Sequence, residues 1–520
     1  MIDAVMKNRI LLLVISATVL LVGVAAGFGT ANRTIQLSEL RDKIEGGWAG
    51  QMIGVSYGAP TEFRFNERII ETKDLPKWMP EKISNSINQD DLYVDMTFAK
   101  VLDDKGLGAT TDDFGAMFKD AKYALWHANL ASRRALKRGV SATLAGTPKY
   151  NAHANDIDFQ IEADFIGLMA PGLPVAATDI AWRAGRVMNY GDGIYGGVFV
   201  SCMYSAAFFE KDPRKVVEAG LACLPAKSPY AMTIADVLAW SKQEKEWQAT
   251  WKLIEGKWNN REPCPSGALK PFNIDARLNG AYIALGLLYG EGDFWKTLEV
   301  STRAGQDSDC NPSNACGILG TMIGYKRIPD EWKSGIPAIA DTKFSYTDFT
   351  FKTIVDSTQK RALDLVKKNG GSVEGDSITV RTQAPKATKM ELWDDYGSPT
   401  ERVVISDPRW QWKGDWKSEK SSRVSASKDS EATFSFEGTG AMITGPYLAT
   451  GGKADVYLDG KLDRTIDVYP DEDVRKGDES VWHAFKLKNA RHTVRLVVRA
   501  EPGPGAKGSD VAIQDFVVFR

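Results

Sequence analysis

Apolar residues recur at intervals of three and four positions from about residue 37 to residue 366. The stretches SELRDKIEGGWAGQMIG, YGGVFVSCMYSAAFFE and LNGAYIALGLLYG show this pattern most clearly. The spacing places apolar side chains on one face of a helix, and clusters of glycine and proline separate the stretches. Because no run of alternating apolar and polar residues interrupts them, the pattern predicts an all-α domain over residues 37–366.

Toward the C-terminus the pattern changes. The segment KKNGGSVEGDS is polar and rich in glycine, and we expect a linker over residues 367–399. Over residues 400–520, stretches such as KADVYLDGK and HTVRLVVRA alternate apolar and polar residues, which is typical of half-buried strands. The pair Asp459-Gly460 suits a type I′ hairpin turn between two of them. Residues 400–520 are therefore predicted to form an all-β sandwich.

The first 31 residues have the pattern of a secretory signal. Lys7 and Arg9 precede a long uncharged apolar run, and small residues follow at the positions that a signal peptidase recognises. At about 1.5 Å per residue in a helix, the run is also long enough to cross a bilayer. We expect a cleaved signal peptide over residues 1–31 and hence a secreted or periplasmic protein. An uncleaved anchor through residues 10–31 is the alternative.

Composition narrows the classes of partner. The 520 residues are 43% hydrophobic and 25% charged, as in globular proteins. Lys and Arg number 65 against 67 Asp and Glu, which gives a formal charge of −2, and there is no long basic run. A nucleic-acid partner, which is bound largely through phosphates, is therefore not expected. Beyond the export signal or anchor, no membrane partner is expected either.

Histidine and cysteine are few and scattered. The four histidines lack the close spacing of a zinc site, which argues against histidine-based zinc chemistry: His127, His153, His483 and His492. The five cysteines all lie in the middle third of the chain: Cys202, Cys223, Cys264, Cys310 and Cys316. We expect them to be buried small side chains with at most one or two disulfides.

A glycine repeat opens the helical region. Gly46, Gly50, Gly54 and Gly58 recur every fourth residue and would share one helix face. Each costs about 1 kcal/mol of helix stability relative to alanine, so another backbone or a ligand must approach this face closely. Tight helix packing and a ligand role both remain open. Glu62 follows in a turn, where its carboxylate could face a cavity.

Two acidic clusters flank the helical region. Asp90, Asp91 and Asp95 lie in the segment INQDDLYVDM, and Asp307 and Asp309 lie in AGQDSDCNPSNACG. Taken singly, each cluster can be a solvated helix start or a set of acids stabilised by a helix dipole. Taken together, they could supply the carboxylates that one or two hard divalent cations need. We expect Mg²⁺, with Mn²⁺ or Ca²⁺ as alternatives.

At these residues the sequence resembles the ADP-ribosylglycohydrolase family. KIEGGWAGQMIGVSYGAPTEF is similar to the glycine-rich opening helix of the family, and NQDDLYVDMTF resembles its Thr-Asp-Asp segment. GQDSDCNPSNACGILGTMIGYKRIPDEW is similar to its closing segment. The resemblance covers roughly residues 38–334 in chain order, and several matches in one order make it more specific than any single motif.

The resemblance implies an all-helical domain in which two Mg²⁺ ions bind the vicinal hydroxyls of a ribose while its glycosidic bond is hydrolysed. Carried over by position, Asp90 and Asp91 would be metal ligands from the first cluster. Asp307 and Asp309 would be ligands from the last. Glu62 would act on the attacking water, with Asp91 beside it as a catalytic carboxylate.

Three departures from the family pattern change these expectations. Gln89 stands where the family has a threonine before Asp-Asp, and Cys310 stands where it has one after the last aspartate. An acid common in the opening helix is absent, because that stretch contains Val55 and Ser56. One metal site is therefore expected to be altered, and Asp95 is an alternative ligand. We place Gln89 and Cys310 among the sugar-contacting positions.

Further substrate contacts are expected between these clusters. If the segment NAHANDIDFQIEADF is extended, its alternate residues Asp158, Gln160 and Glu162 share one side that suits sugar hydroxyls. Tyr190 and Asp192 stand in the segment that replaces a histidine pair frequent in the family. A charged surface segment is the alternative interpretation of these polar residues.

The C-terminal region is similar, more loosely, to jelly-roll, galactose-binding-like modules that bind carbohydrate. The segment GPYLATGGKADVYLDGK carries this resemblance. Trp410, Trp412 and Trp416 precede it and could stack on a sugar or pack in the core.

These observations lead to one principal hypothesis and two alternatives. The principal hypothesis is an exported, divalent-metal-dependent glycoside hydrolase acting on a carbohydrate or ribosyl-containing substrate with a furanose or other glycan unit. The first alternative keeps the ADP-ribosyl or nucleoside N-glycosidic chemistry of the family. The second is a catalytically dead sugar-binding protein, since several family positions have changed.

Overall fold

The computed structural model describes residues 30–259, 262–393, 396–471 and 475–520. The predicted signal, apart from its last two residues, lies outside the described residues. Across the described part of the chain, every helix is too short or too polar to cross a lipid bilayer.

Helices form nearly all of the regular structure between residues 37 and 368, which confirms the all-α prediction. They are α1 (Leu37–Gly58), α2 (Asp90–Lys105), α3 (Thr111–Asp120), α4 (His127–Lys137), α5 (Ala142–Ala145), α6 (Asp158–Ile161), α7 (Asp164–Leu168), α8 (Pro174–Gly185), α9 (Asp192–Ala207), α10 (Pro213–Ala222), α11 (Pro229–Gln243), α12 (Trp247–Trp258), α13 (Ala276–Gly290), α14 (Phe294–Arg303), α15 (Cys310–Ile323), α16 (Asp330–Lys333), α17 (Ile336–Ile339) and α18 (Phe351–Lys368). Short 3-10 helices lie at Thr72–Asp74, Pro80–Asn88 and Tyr325–Arg327.

The centre of the helical domain is built from helices that are apolar on nearly every side. Every residue of α9 is buried, and so is almost all of α13. A helix without a polar face must be surrounded by other helices, so these two form the middle of the domain. The more amphipathic α18 packs against α1 from outside.

The glycine repeat packs α1 against α15. The two helices run antiparallel, and each glycine of α1 lies against the backbone of one α15 or pre-α15 residue: Gly46 on Gly320, Gly50 on Cys316, Gly54 on Pro312 and Gly58 on Ser308. A Cβ atom at any of the four positions would overlap that backbone. Helix packing is therefore the role of this face, and it brings the C-terminal end of α1 to the N-terminal end of α15.

Strands form the regular structure that follows α18. They are β2 (Ser372–Glu374), β3 (Ser377–Arg381), β4 (Pro399–Val404), β5 (Gln411–Lys413), β6 (Lys417–Ser418), β7 (Arg423–Ser425), β8 (Glu431–Gly438), β9 (Gly440–Tyr447), β10 (Gly452–Leu458), β11 (Lys461–Asp467), β12 (Lys476–Ala484), β13 (Ala490–Pro502), β14 (Val511–Ile513) and β15 (Asp515–Phe519), while β1 (Asn32–Gln36) precedes α1. The sheets have the strand orders β1-β3-β2, β11-β10-β13-β8-β5, β12-β9-β15-β4 and β14-β7-β6.

The two larger sheets form a sandwich, as the alternating pattern predicts. Their inner faces share one apolar core that includes Phe434, Val456 and Phe516. Asp459 and Gly460 both have positive φ and connect the antiparallel strands β10 and β11, which confirms the predicted hairpin. Trp410 is buried against Phe434, so this tryptophan packs in the core.

The segment expected as a linker is partly ordered into strands. Strands β2 and β3 lie within residues 367–399, and β3 pairs with β1 at the start of the described chain. Further along, Glu391 pairs with Arg186 on the helical domain. Hydrogen bonds from a distant strand thus hold a segment whose local composition resembles a flexible linker.

The sandwich packs directly on the helical domain. A small apolar cluster joins them, with Ala152 and Ala268 on the helical side and Met442, Val517 and Phe519 on the sandwich side. Elsewhere, Cys202 and Cys223 form a disulfide, while Cys264, Cys310 and Cys316 are buried thiols. One disulfide agrees with the expectation of at most two.

Candidate functional site

The turn after α1 is tied to the segment before α15. The hydroxyls of Thr61 and Ser308 share a hydrogen bond of 2.8 Å, and the backbone N–H of Phe63 donates to the carbonyl of Gln306 at 2.9 Å. Glu62 lies between these two contacts. Its carboxylate is therefore held at the N-terminal end of α15 while its side chain still reaches solvent.

The N-terminal end of α2 lies beside the N-terminal end of α15. Asp91 is fully buried, and the thiol of Cys310 donates to its Oδ2 at 3.3 Å. Asp90 is half-buried at the first position of the helix. The two acidic clusters, which stand at opposite ends of the helical region in sequence, are therefore in direct contact.

The segment before α15 supplies a compact group of donor atoms. One donor atom each from Asp307, Asp309 and Cys310 lie within 4.8 Å of one another. All three side chains are buried, and Oδ1 of both aspartates has no hydrogen-bond partner among the described residues. Oδ1 of Asp91 is likewise without a partner there.

Asp307 and Cys310 border a cavity of about 330 Å³, within the size range of small-molecule sites, while Asp91 and Asp309 are not part of its described lining. We call it the acidic cavity. Its polar lining includes Glu62, Gln89, Asp90, Asn129, Asp158, Asp307 and Cys310, and its aromatic lining includes Tyr93 and Trp126. None of the described residues that line it is a lysine or an arginine. The cavity therefore concentrates negative charge without a basic side chain to balance it.

This crowding changes the acidity of the carboxyl groups. Burial raises the pKa of Asp91 and of Asp307 well above the usual range, and neighbouring carboxylates add to the effect. Burial followed by Asp91 raises the pKa of Asp309 to about 7. Burial raises the pKa of Glu62 to about 9, and the charges of Asp309 and Asp90 add to this shift. Such a group of acids needs either protons or a cation to be stable.

The donor set fits a hard divalent cation. Such ions prefer several oxygen ligands, and Asp91, Asp307 and Asp309 each present a buried carboxylate oxygen without a hydrogen-bond partner among the described residues. A buried polar atom without a partner is costly, and metal coordination would remove that cost. Cys310 is the poorest ligand in the group, because a thiol binds Mg²⁺ weakly.

Asp95 lies deeper, one helical turn below Asp91. Its Oδ2 accepts hydrogen bonds from Gln51 Nε2 at 3.3 Å and from the backbone N–H of Phe165 at 3.2 Å. These bonds hold the side chain beneath the cavity, of whose described lining it is not a part. Asp164 is a buried neighbour without a role assigned from the sequence; burial, followed by the charge of Asp164, raises the pKa of Asp95. The only signal for Asp164 in the sequence is its position in the acidic segment NAHANDIDFQIEADF.

The predicted alternation of Asp158, Gln160 and Glu162 on one side is wrong, because the segment forms the short helix α6. Residues two apart on a helix point in different directions. Asp158 lines the acidic cavity and accepts the backbone N–H of Asn129 at 2.9 Å. Glu162 accepts a hydrogen bond from the Asn129 side chain. Gln160 instead faces the core, where its Oε1 accepts the Tyr230 hydroxyl at 2.6 Å.

Tyr190 and Asp192 lie away from the acidic cavity and are absent from its described lining. The ring of Tyr190 packs edge-on against Tyr396, with centroids 5.8 Å apart. Asp192 begins α9, accepts the backbone N–H of Tyr230 at 3.3 Å and lies 3.9 Å from Arg277. An acid at a helix start is stabilised by the helix dipole, so its role here is structural.

Several residues of the cavity wall are not predicted from the sequence, and three of them lie close together in the chain. Trp126, His127 and Asn129 all border the cavity, and the indole of Trp126 is 46% exposed. They lie at the start of α4, in a segment whose only recognised signal was helical periodicity. Which side chains of an amphipathic helix face a cavity depends on packing against other segments, which one sequence does not show.

Comparisons with known proteins bear mainly on the helical domain. A model of the ADP-ribosylglycohydrolase family matches residues 36–366. A comparison with curated protein sequences finds no match. Among solved structures, the chain is similar to an ADP-ribosylglycohydrolase-related protein complex, with 16% identity, a TM-score of 0.40, and coverage of 62% of this chain and 98% of that one.

Two further solved structures are carbohydrate-binding modules. A CBM36 module in complex with calcium and xylotriose has 11% identity and a TM-score of 0.18, over 23% of this chain and 100% of that one. The CBM36-1 domain of a multidomain xylanase from the hindgut metagenome of Trinervitermes trinervoides has 12% identity and a TM-score of 0.18, over 22% and 94%. These likenesses are too distant to transfer a ligand or an activity.

Proposed function

Because the chain belongs to the ADP-ribosylglycohydrolase family, we propose that it is a divalent-metal-dependent glycoside hydrolase. One observation carries this proposal: acids from the end of α1, the start of α2 and the start of α15 converge on one cavity. The described lining of that cavity holds no lysine or arginine. A site of this kind is suited to a cation and a neutral, hydroxyl-rich substrate.

Asp90, Asp91, Asp307 and Asp309 would hold one or two Mg²⁺ ions, with Mn²⁺ or Ca²⁺ as alternatives. When bound, such ions orient a sugar diol and lower the pKa of a water molecule. The unpartnered buried oxygens of Asp91, Asp307 and Asp309 support this assignment.

Glu62 would accept the proton of the attacking water. It lies at the edge of the acidic cavity, within reach of solvent, while the backbone on either side of it is fixed to the segment before α15. Burial and then the charges of Asp309 and Asp90 raise its pKa, and positive charge beside those two carboxylates would remove their part of the shift. A carboxylate with a pKa near the working pH is an efficient proton acceptor. Asp91 would contribute negative charge that stabilises an oxocarbenium-like transition state.

The substrate is proposed to be a sugar with a furanose or other glycan unit. Gln89, Asn129 and Asp158 offer polar groups at the cavity wall, and the half-exposed ring of Trp126 offers a flat apolar face for a sugar. The predicted export signal favours an extracellular glycan over the ADP-ribosylated proteins of the cell interior.

A second candidate function is metal-independent sugar binding without catalysis. The observation that favours it is the hydrogen bond from the Cys310 thiol to Asp91 Oδ2. That bond occupies a carboxylate oxygen that a metal ion would otherwise use, and thiols are poor ligands for hard cations.

A substrate screen with and without EDTA tests the proposal. Purified protein is assayed on aryl furanosides, aryl pyranosides, polysaccharides, nucleosides and ADP-ribosylated protein, beside the variants Asp307→Asn and Asp309→Asn. The control is Asp341→Asn, which alters an exposed ion pair with Lys352. We expect glycoside turnover in wild type and control, and its loss with EDTA and in both cavity variants.

Other results would contradict the proposal or favour one of the alternative functions. Turnover that survives EDTA and both cavity substitutions would contradict the proposal. Release of ADP-ribose from modified protein without glycoside turnover would assign the family's N-glycosidic chemistry instead. Sugar binding in EDTA without any turnover would identify the binding protein.

A further inference from the structure

His127 and His153, which are well separated in sequence, meet beside the acidic cavity. Their ring centroids are 5.5 Å apart, and Asp156 lies between them. Oδ2 of Asp156 is 2.7 Å from His153 Nδ1 and 3.7 Å from His127 Nδ1. One donor atom from each of the three residues lies within 4.8 Å of the other two.

The loop that carries His153 and Asp156 is fixed from several sides. The Asn151 side chain donates 2.9 Å hydrogen bonds to the carbonyls of Ala128 and Met188, which attaches the loop to the first turn of α4. The Oδ1 of Asn151 also accepts the backbone N–H of His153 at 2.9 Å. These hydrogen bonds hold the loop, and with it His153 and Asp156, in a fixed position.

Three polar atoms of this group, including Nε2 of His153, lack hydrogen-bond partners among the described residues, whereas Oδ2 of Asp156 and Nδ1 of His153 are hydrogen-bonded to each other. The side chain of Asp156 is fully buried, yet its Oδ1 has no hydrogen-bond partner among the described residues. The same holds for Nδ1 of His127. We propose that His127, His153 and Asp156 bind one divalent transition-metal ion of the zinc type, through Nδ1 of each imidazole and the carboxylate.

The distances and ligand types agree with this class of ion. Zinc binds nitrogen at about 2.0–2.1 Å, so neighbouring ligand atoms in a tetrahedron are roughly 3.4 Å apart. The 3.7 Å distance from His127 is close to that value, whereas the 2.7 Å contact with His153 is a hydrogen bond that metal binding would replace. Two imidazoles favour zinc over Mg²⁺, and three protein ligands leave one position open.

The open position would face solvent. His127 lines the acidic cavity and also a neighbouring cavity of about 500 Å³, whose lining includes Phe272 and Asp478. The Nδ1 atom of His127 has no hydrogen-bond partner among the described residues, and the side chain is 23% exposed. An ion can therefore reach the group from the cavity side.

The sandwich supplies a carboxylate behind one ligand. Oε2 of Glu479, in β12, lies 3.3 Å from Nε2 of His153. A metal-bound histidine usually directs its other ring nitrogen to such a carboxylate, which fixes the ring and strengthens the bond to the metal. The ion would thus connect the two domains at the wall of the cavity.

A second group of donors shares Asp156 but is less suitable. Its other members are Glu262 and Cys264. Both oxygens of Glu262 already accept backbone hydrogen bonds, from Cys264 at 2.8 Å and from Ile274 at 3.1 Å. Burial raises the pKa of the Cys264 thiol well above its usual range, which disfavours the thiolate that zinc requires.

Metal binding by the full chain tests the proposal without any substrate. Metal-free protein is titrated with Zn²⁺ in a calorimeter and with Co²⁺ in a spectrophotometer, where a tetrahedral site gives intense visible absorption. We expect one tetrahedral Co²⁺ equivalent per chain, in addition to any ion that the acidic cavity takes up. His127→Ala, at a side chain that is 23% exposed and so tolerates truncation, should remove the Co²⁺ absorption. Glu479→Gln should weaken Zn²⁺ binding about 10- to 100-fold.

Two control variants test where the ion binds. His492→Gln alters a histidine that pairs with Asp459 in the sandwich, and it should bind Zn²⁺ as wild type does. Asp307→Asn should lose at most the ions held in the acidic cavity and should keep the Co²⁺ absorption of the histidine site.

Several results would overturn the proposal. They are a wild-type protein that takes up neither ion, a Co²⁺ absorption that is unchanged in His127→Ala, and a Co²⁺ absorption that is lost in Cys264→Ser or in Asp307→Asn. The first result would mean that a protonated His153 simply pairs with Asp156 and Glu479. None of these results depends on hydrolysis, so they leave the proposed function separately testable.

Discussion

Replacing Gly54 by alanine tests how the fold positions the site. A Cβ atom at this position would lie 2.5 Å from the backbone nitrogen of Ser313 and closer still to the Pro312 carbonyl. Optimal contacts between such atoms are about 3.5–4.0 Å, so α1 and α15 would have to separate by roughly 1 Å. The obstacle is backbone, which cannot rotate away as a side chain can.

The expected magnitude follows from two opposing effects. Overpacking a tight contact costs about 1–3 kcal/mol, whereas alanine in a helix gains about 1 kcal/mol over glycine. Gly256, in α12, is a matched control, because a Cβ atom there would contact nothing within 4 Å. We expect Gly256→Ala to stabilise the protein by up to about 1 kcal/mol. Gly54→Ala should destabilise it by about 1 kcal/mol, the difference between about 2 kcal/mol of overpacking and the gain in helix propensity.

The functional effect should exceed the effect on stability. A displacement of about 1 Å at reacting groups can cost about 100-fold in rate. Glu62 follows α1 and Asp307 precedes α15, so separation of the helices moves these two groups apart. The assay combines thermal unfolding with kcat/KM on the substrate that the screen identifies. If Gly54→Ala matches Gly256→Ala in both measurements, the glycine face does not position the site and the reasoning is refuted.

Three further predictions concern the acids and the cysteines. Burial raises the pKa of Asp164 to about 7, so the folded metal-free protein holds a proton that the unfolded chain loses near pH 4. Its melting temperature in EDTA should therefore fall as the pH rises from 5 to 8, and a rise over that range would contradict the assignment. Cys310→Thr should tighten Mg²⁺ binding about tenfold in calorimetry, because a hydroxyl is a harder ligand than a thiol, and weaker binding would argue against a metal contact at this position. Reducing the Cys202–Cys223 disulfide, which closes a loop with a sequence separation of 21, should destabilise the protein by about 3 kcal/mol, measured by denaturant unfolding with Cys316→Ser as control.

Much of the fold could be predicted because its signals are local. Helical periodicity and strand alternation depend on residues close in sequence, and the turn at Asp459-Gly460 depends on two adjacent residues. The strands within the expected linker could not be predicted in this way. Strand β3 gains its partner from β1, at the opposite end of the described chain, and local composition carries no information about that pairing.

The site likewise contains some residues that could be predicted from the sequence and others that could not. Asp90, Asp91, Asp307 and Asp309 could be selected because they cluster in short motifs, and the structure brings both clusters together. The side to which Gln160 points could not be predicted, because it depends on whether its segment is helical or extended. That residues such as His127 line the cavity could not be predicted for a different reason. Their position depends on tertiary packing of α4.

The most direct test of the central claim is calorimetric titration of Mg²⁺ into wild type, Asp90→Asn and Asp307→Asn, with Asp341→Asn as the control. If acids from both ends of the helical domain share one site, either cavity substitution should abolish or greatly weaken binding, while the control binds as wild type does. Binding that is lost in Asp307→Asn but unchanged in Asp90→Asn would contradict the claim that the two clusters hold the same cation.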